Sequence, residues 1–264
     1  MKNWLEEIVA NKRREVAPRI QAHPVASLQQ RAESVTRGPD LIQALTASPI
    51  GLIAEVKHKS PSAGVIRTPF EPAVIARAYT EAGAQALSVL MDEVYFGGGE
   101  AHFRDVRSAV SAPMLYKEFV VDRWQVWHAV TLGASAVLLI VAALTPEALA
   151  ALHQECRAAG IAALVEVHDG DELKIALDTG ATFIGINNRN LKTFVTTLDT
   201  SFDLLRGLPP EVVCISESGI RTAADVVALR DAGARGVLVG ESLLRQPDPG
   251  RAVTALMSEA WACS

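Results

Sequence analysis

The stretch ALDTGATFIGIN, residues 176–187, carries the pattern that decides the fold of this chain. An amphipathic segment ends in Gly-Ala, and a short apolar run begins two or three residues later. The pattern recurs in YTEAGAQALSVL (79–90), AVTLGASAVLLI (129–140) and LRDAGARGVLVG (229–240). Glycine ends a helix readily because it adopts the left-handed conformation without a clash at Cβ. The apolar runs lack alternation, as parallel strands covered on both faces do. We therefore predict a repeated helix–glycine–strand unit.

The spacing of these units predicts their number. A related ending, CRAAGIAALVEV (156–167), lies between two of the copies, so that one unit takes about 25 residues. Apolar runs at this spacing predict strands at 51–56, 86–90, 113–117, 136–141, 161–167, 182–187, 211–216 and 235–240. Helical patterns fill the gaps at 71–82, 101–110, 123–132, 146–159, 171–179, 199–206 and 222–232, with a last one at 250–261. Asp122, Thr145 and Thr222 stand where N-caps are expected.

Eight such units indicate an α/β protein of the closed (β/α)₈ type, a TIM barrel, rather than an open doubly wound sheet. The first strand is not followed by G-x-G-x-x-G, which also counts against a dinucleotide-binding sheet. We assign residues 49–264 to the barrel and residues 1–48 to an N-terminal helical extension of the same domain. Helical spacing is present at 4–16, and 40–46 could form a second, short helix. Periodicity leaves two roles open for this extension, a plug without chemistry or a lid near the substrate.

Composition narrows the class of protein. Hydrophobic residues make up 49% of the 264 residues, and the net charge is −5, which argues against nucleic-acid or membrane-surface binding. The longest apolar stretch, 134–144, is shorter than the ~20 residues of a membrane helix. The N-terminus has no apolar core of a secretory signal. Cys156, Cys214 and Cys263 lack disulfide or zinc spacing, and we expect the first two to be packing residues. We expect a soluble, cytoplasmic protein without a metal.

Charged residues stand where the predicted strands end. Strand 51–56 runs through Glu55 to Lys57, and strand 113–117 ends in Lys117. Glu166 and Glu217 stand at the ends of two later strands, and Asn187 with Arg189 at another. In a TIM barrel, catalytic groups lie at the carboxyl ends of the strands. Two lysines and three glutamates in one cleft must be paired or functional.

The last two loops predict an anion site. Ser218-Gly219 precedes one helix, and Gly240-Glu241 precedes the next apolar segment. Glycine lets backbone N–H groups approach an anion, and these two loops are the usual phosphate position in barrels. The five histidines beyond residue 50 share no metal-ligand spacing, so we interpret them as surface or packing residues. For His168, which closely follows Glu166, a site role stays open.

An ordered set of motifs then resembles one family. IAEVKHKSPSAG (53–64) resembles the first-strand signature of indole-3-glycerol-phosphate synthase. The resemblance covers nearly the whole chain through LEEIVANKRREVA (5–17), SVLMDEVYFGG (88–98), LYKEFVVD (115–122), LLIVAAL (138–144), LVEVHD (164–169), IGINNRNL (184–191), SESGI (216–220) and VGESLLR (239–245). It implies a cofactor-free carboxy-lyase of tryptophan biosynthesis. Such an enzyme converts 1-(2-carboxyphenylamino)-1-deoxyribulose 5-phosphate to indole-3-glycerol phosphate, CO₂ and water.

The resemblance also implies roles for individual residues. Lys117 is the expected general acid at the ribulose C2 carbonyl oxygen, Glu166 the expected base of the dehydration, and Lys57 the expected partner of the anthranilate carboxylate. Further matching positions orient these groups: Glu55, Asn187, Glu217 and Ser218. The phosphate is expected at Ser60, Gly219, Gly240 and Glu241. Some members of the family have serine at the position of Glu241. Pro61, Phe96, Phe119 and Leu138 match a pocket for the anthranilate ring. Arg189 matches the same loop without an assigned role.

The family resemblance also places the N-terminal extension near the phosphate side of the site. The expected partner is a phosphorylated small molecule, and the expected state is a monomer or weak homo-oligomer. The length leaves no room for a second barrel, so we expect no fused phosphoribosylanthranilate isomerase. Two alternatives stay open: another phosphate-binding TIM-barrel lyase or isomerase, and a non-catalytic barrel that serves as a binding module.

Overall fold

The computed structural model describes residues 4–190, 193 and 195–262. Eight parallel strands within these residues close into a barrel in chain order, each hydrogen-bonded to the strands before and after it. They are β1 (Gly51–Val56), β4 (Ala86–Leu90), β5 (Met114–Lys117), β6 (Ala136–Ile140), β7 (Ala162–Val167), β8 (Phe183–Asn187), β9 (Val213–Glu217) and β10 (Gly236–Val239). A short antiparallel hairpin, β2 (Lys59–Ser60) with β3 (Gly64–Val65), follows the first strand. The predicted TIM barrel is confirmed.

Helices surround the barrel. Those of the repeating units are α4 (Pro72–Glu81), α5 (Glu100–Ala109), α6 (Arg123–Thr131), α7 (Pro146–Ala159), α8 (Gly170–Asp178), α9 (Asp199–Leu205), α10 (Ala223–Asp231), α11 (Glu241–Leu244) and α12 (Pro249–Trp261). Three more precede the barrel: α1 (Trp4–Ala22), α2 (Val25–Ala32) and α3 (Leu41–Thr46). Asp122, Thr145 and Thr222 cap α6, α7 and α10 through their side chains, as predicted.

The sequence prediction missed several short elements. It did not include α2, the hairpin β2–β3, a 3₁₀ turn at Val141–Ala143 or α11. It also ended the seventh barrel strand at residue 216, whereas β9 runs through Glu217. These elements are only two to eight residues long, too short for a hydrophobic period to be recognised. The eighth barrel strand, predicted at 235–240, is one residue shorter at each end in the structure, at Gly236–Val239.

The core forms two layers around the strands. Alternate strand residues point to the barrel axis and form one cluster, which includes Ile53, Leu115, Leu164 and Ile215. Their neighbours face the helices in a larger cluster, which also holds the buried thiols of Cys156 and Cys214. Because both faces of each strand are buried, the strand sequences are mostly apolar up to their carboxyl ends. Both thiols are packing residues as predicted; Cys263 lies outside the described residues.

The N-terminal helices occupy different places on the barrel. Leu41 and Leu45 of α3 join the cluster on the barrel axis, and Leu45 packs closely against Gly51 at the start of β1. This helix therefore plugs the amino-terminal end of the barrel. Helix α1 lies at the opposite end, where Lys12 forms ion pairs with residues that follow β4 and β5. The plug interpretation therefore fits α3, while the lid interpretation stays a prediction for α1, which lies at the carboxyl end of the barrel. None of the helices described is long and apolar enough to cross a membrane.

Candidate active site

The barrel mouth is formed by the last inward-facing residues of the strands. Along each strand, alternate positions face the axis, so that an apolar inward residue such as Leu115 or Leu164 is followed by Lys117 or Glu166. Strand register brings these ends together, since Asn187 of β8 pairs with Glu217 of β9. They open into one cavity of about 620 Å³. That volume lies within the roughly 300–1,000 Å³ of small-molecule sites.

All sixteen site residues expected from the sequence line this one cavity: Glu55, Lys57, Ser60, Pro61, Phe96, Lys117, Phe119, Leu138, Glu166, Asn187, Arg189, Glu217, Ser218, Gly219, Gly240 and Glu241. Fifteen of them come from seven of the eight barrel strands or from the loops that follow those strands. The sixteenth, Phe96, comes from the loop after the remaining strand, β4. The cavity is thus assembled from residues that are far apart in the chain.

Two ion-pair groups stand at the base of the cavity. Lys57, which directly follows β1, pairs with Glu55 of that strand. Lys117 Nζ lies 2.5 Å from Glu217 Oε2 and 3.3 Å from Glu166 Oε2. The other oxygen of Glu166, Oε1, accepts a hydrogen bond from Asn187 Nδ2 at 3.1 Å. Lys117 is therefore held between two carboxylates that belong to different strands.

These contacts give the three groups different acidities. Burial lowers the pKa of Lys117, but the neighbouring carboxylates, Glu217 above all, raise it above the ordinary lysine value. Burial raises the pKa of Glu217 and the charge of Lys117 offsets this only in part, which leaves the pKa at about 7. Burial also raises the pKa of Glu166, but the charges of Lys117 and His168 lower it to below its ordinary range. The two carboxylates beside Lys117 thus differ in how readily they hold a proton.

Two glycines make room for the carboxylates. A Cβ on Gly185 would lie 2.2 Å from Glu217 Oε1, and a Cβ on Gly240 would lie 2.6 Å from Glu55 Oε1. Any side chain at either position would displace the adjacent carboxylate. The glycine in the strand sequence FIGIN is therefore required by the site as well as by the barrel.

One wall of the cavity is apolar. The rings of Phe96 and Phe119 lie 6.0 Å apart between centroids, and Leu138 and Pro61 line the same cavity. Helix α1 adds Trp4, Leu5 and Ile8, which had not been expected at the site from the sequence. Their spacing along the helix was the available signal, because it places all three on one side of α1.

The opposite end of the cavity is formed by a turn after β9 and by the start of α11. Ser218 and Gly219 both have left-handed backbone, with φ of 65° and 81°. The cavity is lined there also by Gly240, Ser242 and Arg221. The Glu241 carboxylate is held by Arg245, whose Nε and Nη2 both lie 2.9 Å away. The ion pair between Glu241 and Arg245 was not expected from the sequence.

Arg189 connects two of the loops around the cavity. Its guanidinium contacts Thr196 Oγ1 and Ser62 Oγ, both at 3.4 Å, and its backbone N–H donates to Asn187 Oδ1 at 3.0 Å. These contacts join the loop after β8 to the hairpin after β1. Within the described part of the chain, no group of three or more His, Cys, Asp or Glu residues could hold a metal ion.

Two further polar groups adjoin the site without having been predicted there. Lys12 of α1 is buried between Asp92 and Glu118, and Glu118 itself lines the cavity. His168 lies beside Glu166, with Nε2 at 3.4 Å from Glu166 Oε1. Strand alternation was the available signal for His168, since residues 166 and 168 share a face.

Comparison with known proteins agrees with the motifs. A family model of indole-3-glycerol phosphate synthase matches residues 5–256. The enzyme of that name from Laribacter hongkongensis is 45% identical over 263 residues, which cover 98% of this chain and 100% of the relative. The one from Geobacillus kaustophilus is 46% identical over 257 residues, which cover 97% of each chain.

Solved structures with low sequence identity share the fold. A 3-hexulose-6-phosphate synthase superposes with a TM-score of 0.63 at 15% identity, covering 79% of this chain and 99% of the other. A thiamine phosphate pyrophosphorylase from Pyrococcus furiosus gives 0.60 at 14%, covering 83% and 96%. At these identities the likeness concerns the barrel alone. The family match and the full-length relatives go further, and by them the chain belongs to the indole-3-glycerol phosphate synthase family.

Proposed function

We propose that the chain converts 1-(2-carboxyphenylamino)-1-deoxyribulose 5-phosphate to indole-3-glycerol phosphate, with release of CO₂ and water. One observation carries the proposal beyond family membership. Lys117 lies between Glu166 and Glu217 at the base of a cavity that has an aromatic wall at one end and the left-handed Ser218-Gly219 turn at the other. Such a cavity suits a substrate with an aromatic ring, a reactive carbonyl and a phosphate.

The substrate is held at its two ends. The phosphate binds at Ser60, Gly219, Gly240 and the backbone N–H of Glu241. The left-handed backbone of Ser218 and Gly219 supports this, because such turns direct N–H groups to an anion. The anthranilate ring binds among Pro61, Phe96, Phe119 and Leu138, with α1 closing that side. Lys57 holds the ring carboxylate, which must stay close to a cation until it leaves as CO₂.

Ring closure needs a proton at the ribulose C2 oxygen. Lys117 supplies it as the ring carbon attacks C2, and loss of the carboxylate then restores the aromatic ring. Glu217, with a pKa of about 7 and 2.5 Å from Lys117 Nζ, can return a proton to the lysine. A general acid in this position contributes about 10²–10⁴-fold to the rate.

Dehydration removes the hydroxyl that ring closure leaves on C2 as water: Lys57 donates a proton to the departing oxygen, and a proton is lost from the neighbouring carbon. Glu166 takes that second proton, because the neighbouring cations keep its carboxylate ionised and the Asn187 hydrogen bond fixes its position. Glu55, Glu217 and Ser218 orient the two lysines and the substrate. The carbonyl accepts the electron pair of ring closure, the ring that of decarboxylation, and the departing hydroxyl that of dehydration, so the reaction uses no organic cofactor or metal.

The expectations from composition complete the proposal. We propose a cytoplasmic enzyme, monomeric or weakly homo-oligomeric, that binds a small phosphorylated substrate and no nucleic acid. The net charge of −5 supports the last point. Residues 1–48 act as an extension of the barrel domain, with α3 as its plug and α1 as one wall of the site.

A Schiff-base mechanism, as in some barrel aldolases, is disfavoured by the same lysine. Its nucleophile must be a neutral amine, whereas the carboxylates around Lys117 raise the pKa and keep the amine protonated. Borohydride with substrate should therefore not trap a covalent adduct.

The direct test is to supply the carboxyphenylamino-deoxyribulose phosphate and follow the appearance of indole fluorescence. We expect turnover by the wild-type chain and none above background by Lys117→Met, which keeps a side chain of similar length. Folded wild-type protein without turnover would contradict the proposal.

A further inference from the structure

Glu166 and Glu217 both flank Lys117, yet the reaction needs one of them as the base. The feature that distinguishes them is His168, just beyond the end of β7. Its ring lies between two carboxylates: Nδ1 makes a hydrogen bond of 2.9 Å to Glu172 Oε2, and Nε2 lies 3.4 Å from Glu166 Oε1 in an ion-pair contact without hydrogen-bond geometry. Within the described residues, nothing comparable adjoins Glu217, which has Lys117 as its cation.

The position of His168 is fixed from α8. Glu172 lies in the first turn of that helix, and its backbone N–H donates to the N-cap side chain of Asp169 at 2.9 Å. Its carboxylate Oε2 accepts both the His168 ring Nδ1–H and the His168 backbone N–H, the latter at 2.8 Å. The His168 side chain is 10% exposed. The ring therefore has one place and one orientation, with Nε2 towards Glu166.

The charge of His168 follows from this placement. A ring nitrogen that faces a carboxylate is favourable only when it carries a proton, and here both nitrogens face one. Burial lowers the pKa of His168, but the two carboxylates outweigh it and raise the pKa to about 10. Glu166 thus lies between two cations, His168 and Lys117, and gives up its proton readily.

Glu217 has the opposite surroundings. It is buried next to Lys117, but the carboxylates of Glu166 and Glu55 are close enough to raise its pKa. Its Oε1 is buried and makes no hydrogen bond within the described residues, which further disfavours the ionised form. Two carboxylates with such different environments take different parts in proton transfer.

We propose that the Glu172–His168 pair is a positioning device that selects Glu166, rather than Glu217, as the base of the reaction. The assignment rests on the proposed function. His168 does not line the cavity and is a positioning residue, which acts on the substrate only through Glu166. The charged and polar groups that face Glu166 and His168 from the surrounding elements are Glu55, Lys117, Glu172, Asn187 and Glu217.

The test compares His168→Asn and Glu172→Gln with His153→Asn, the same change at a histidine of α7 outside the cavity. Without the imidazolium, Glu166 is protonated more easily. We expect the kcat of His168→Asn, relative to wild type, to fall further at pH 5 than at pH 8, because Glu166 takes up a proton at a higher pH once the imidazolium is removed. KM should stay within about twofold. Glu172→Gln should show the same pH dependence of kcat to a smaller extent, and His153→Asn should follow the wild-type pH profile.

A second measurement determines the protonation state of the His168 ring directly. In ¹⁵N-labelled wild-type protein, the His168 ring should stay an imidazolium above pH 8, with its signals assigned by their loss in His168→Asn or, if that variant does not fold, by their shift in Glu172→Gln. A ring that titrates at or below pH 6.5 overturns the proposal, as does an equal fractional loss of kcat at every pH. Absence of turnover by wild-type protein would instead refute the proposed function, while the titration still decides the charge of His168.

Discussion

Lys12 Nζ lies 3.0 Å from Glu118 Oε2, although 106 residues separate them in the chain. The same ammonium lies 2.9 Å from Asp92 Oδ2, and all three side chains are buried. Asp92 in turn accepts the backbone N–H groups of Tyr95 and Phe96, while Glu118 accepts that of Phe119. One lysine of α1 therefore ties the helix to the two loops that carry the aromatic wall.

We expect Lys12→Met to lower the free energy of unfolding by roughly 3–5 kcal/mol, because it leaves two buried carboxylates without their cation. KM should rise more than kcat falls, since Phe96 and Phe119 are the proposed contacts of the anthranilate ring and Lys12 does not line the cavity. Urea denaturation and steady-state kinetics measure the two effects.

Arg13→Met is the matched control for this change. Arg13 is the next residue of α1 and is exposed, so the free energy of unfolding should stay within about 0.5 kcal/mol of the wild type. A Lys12→Met variant that is as stable as this control would show that the ion pairs contribute nothing net.

Lys117→Ala should remove most of kcat, by about 10²–10⁴-fold, while KM changes little. The reason is that Lys117 is the proposed acid at the reacting carbonyl and does not hold either end of the substrate. Lys57→Ala should behave differently and raise KM, because Lys57 is the proposed partner of the ring carboxylate. If the Lys117 variant changed KM alone, the lysine would be a binding residue and the acid would have to be Lys57.

The charged residues at the carboxyl ends of the barrel strands could be predicted, because their positions follow from patterns within each strand. Alternation along the strands and the rule that catalytic groups follow strand ends are enough to place Glu55, Lys117 and Glu166 in one cleft. The exact strand ends matter little here, since a shift by one or two residues leaves these groups at the mouth. The motif resemblance then supplied the reaction, which patterns alone could not.

The role of α1 could not be predicted from its sequence. A lysine within ANKRRE is typical of a solvated helix face, and only the packed structure shows that Lys12 is buried. The resemblance placed the extension near the phosphate side, whereas α1 contacts the loops after β4 and β5 on the aromatic side. Long-range ion pairs of this kind depend on tertiary packing and leave no local periodicity.

Arg245 offers a test of the phosphate end. Its pair with Glu241 keeps a carboxylate neutralised where the phosphate is proposed to bind. In Arg245→Ala, the free carboxylate should repel the phosphate and raise KM about fivefold, on the order of 1 kcal/mol for a partly exposed pair. The double variant Arg245→Ala with Glu241→Ser should restore KM, as measured by steady-state kinetics. A double variant as weak as the single one would show that Arg245 acts on the phosphate directly.

From the raised pKa of His168 we also predict how the free energy of unfolding depends on pH. Its pKa rises from about 6.5, the ordinary value, to about 10 in the folded chain. The folded state therefore holds this proton more tightly than the unfolded state does, and the resulting stabilisation is present in full below pH 6.5. It is lost as the pH rises through 10. The difference in unfolding free energy between wild type and His168→Asn should thus shrink steadily from pH 7 to pH 10, as measured by urea denaturation at each pH. His153→Asn should show no such decline, because burial lowers the pKa of His153. A constant difference across this range would mean that His168 is neutral in the folded enzyme.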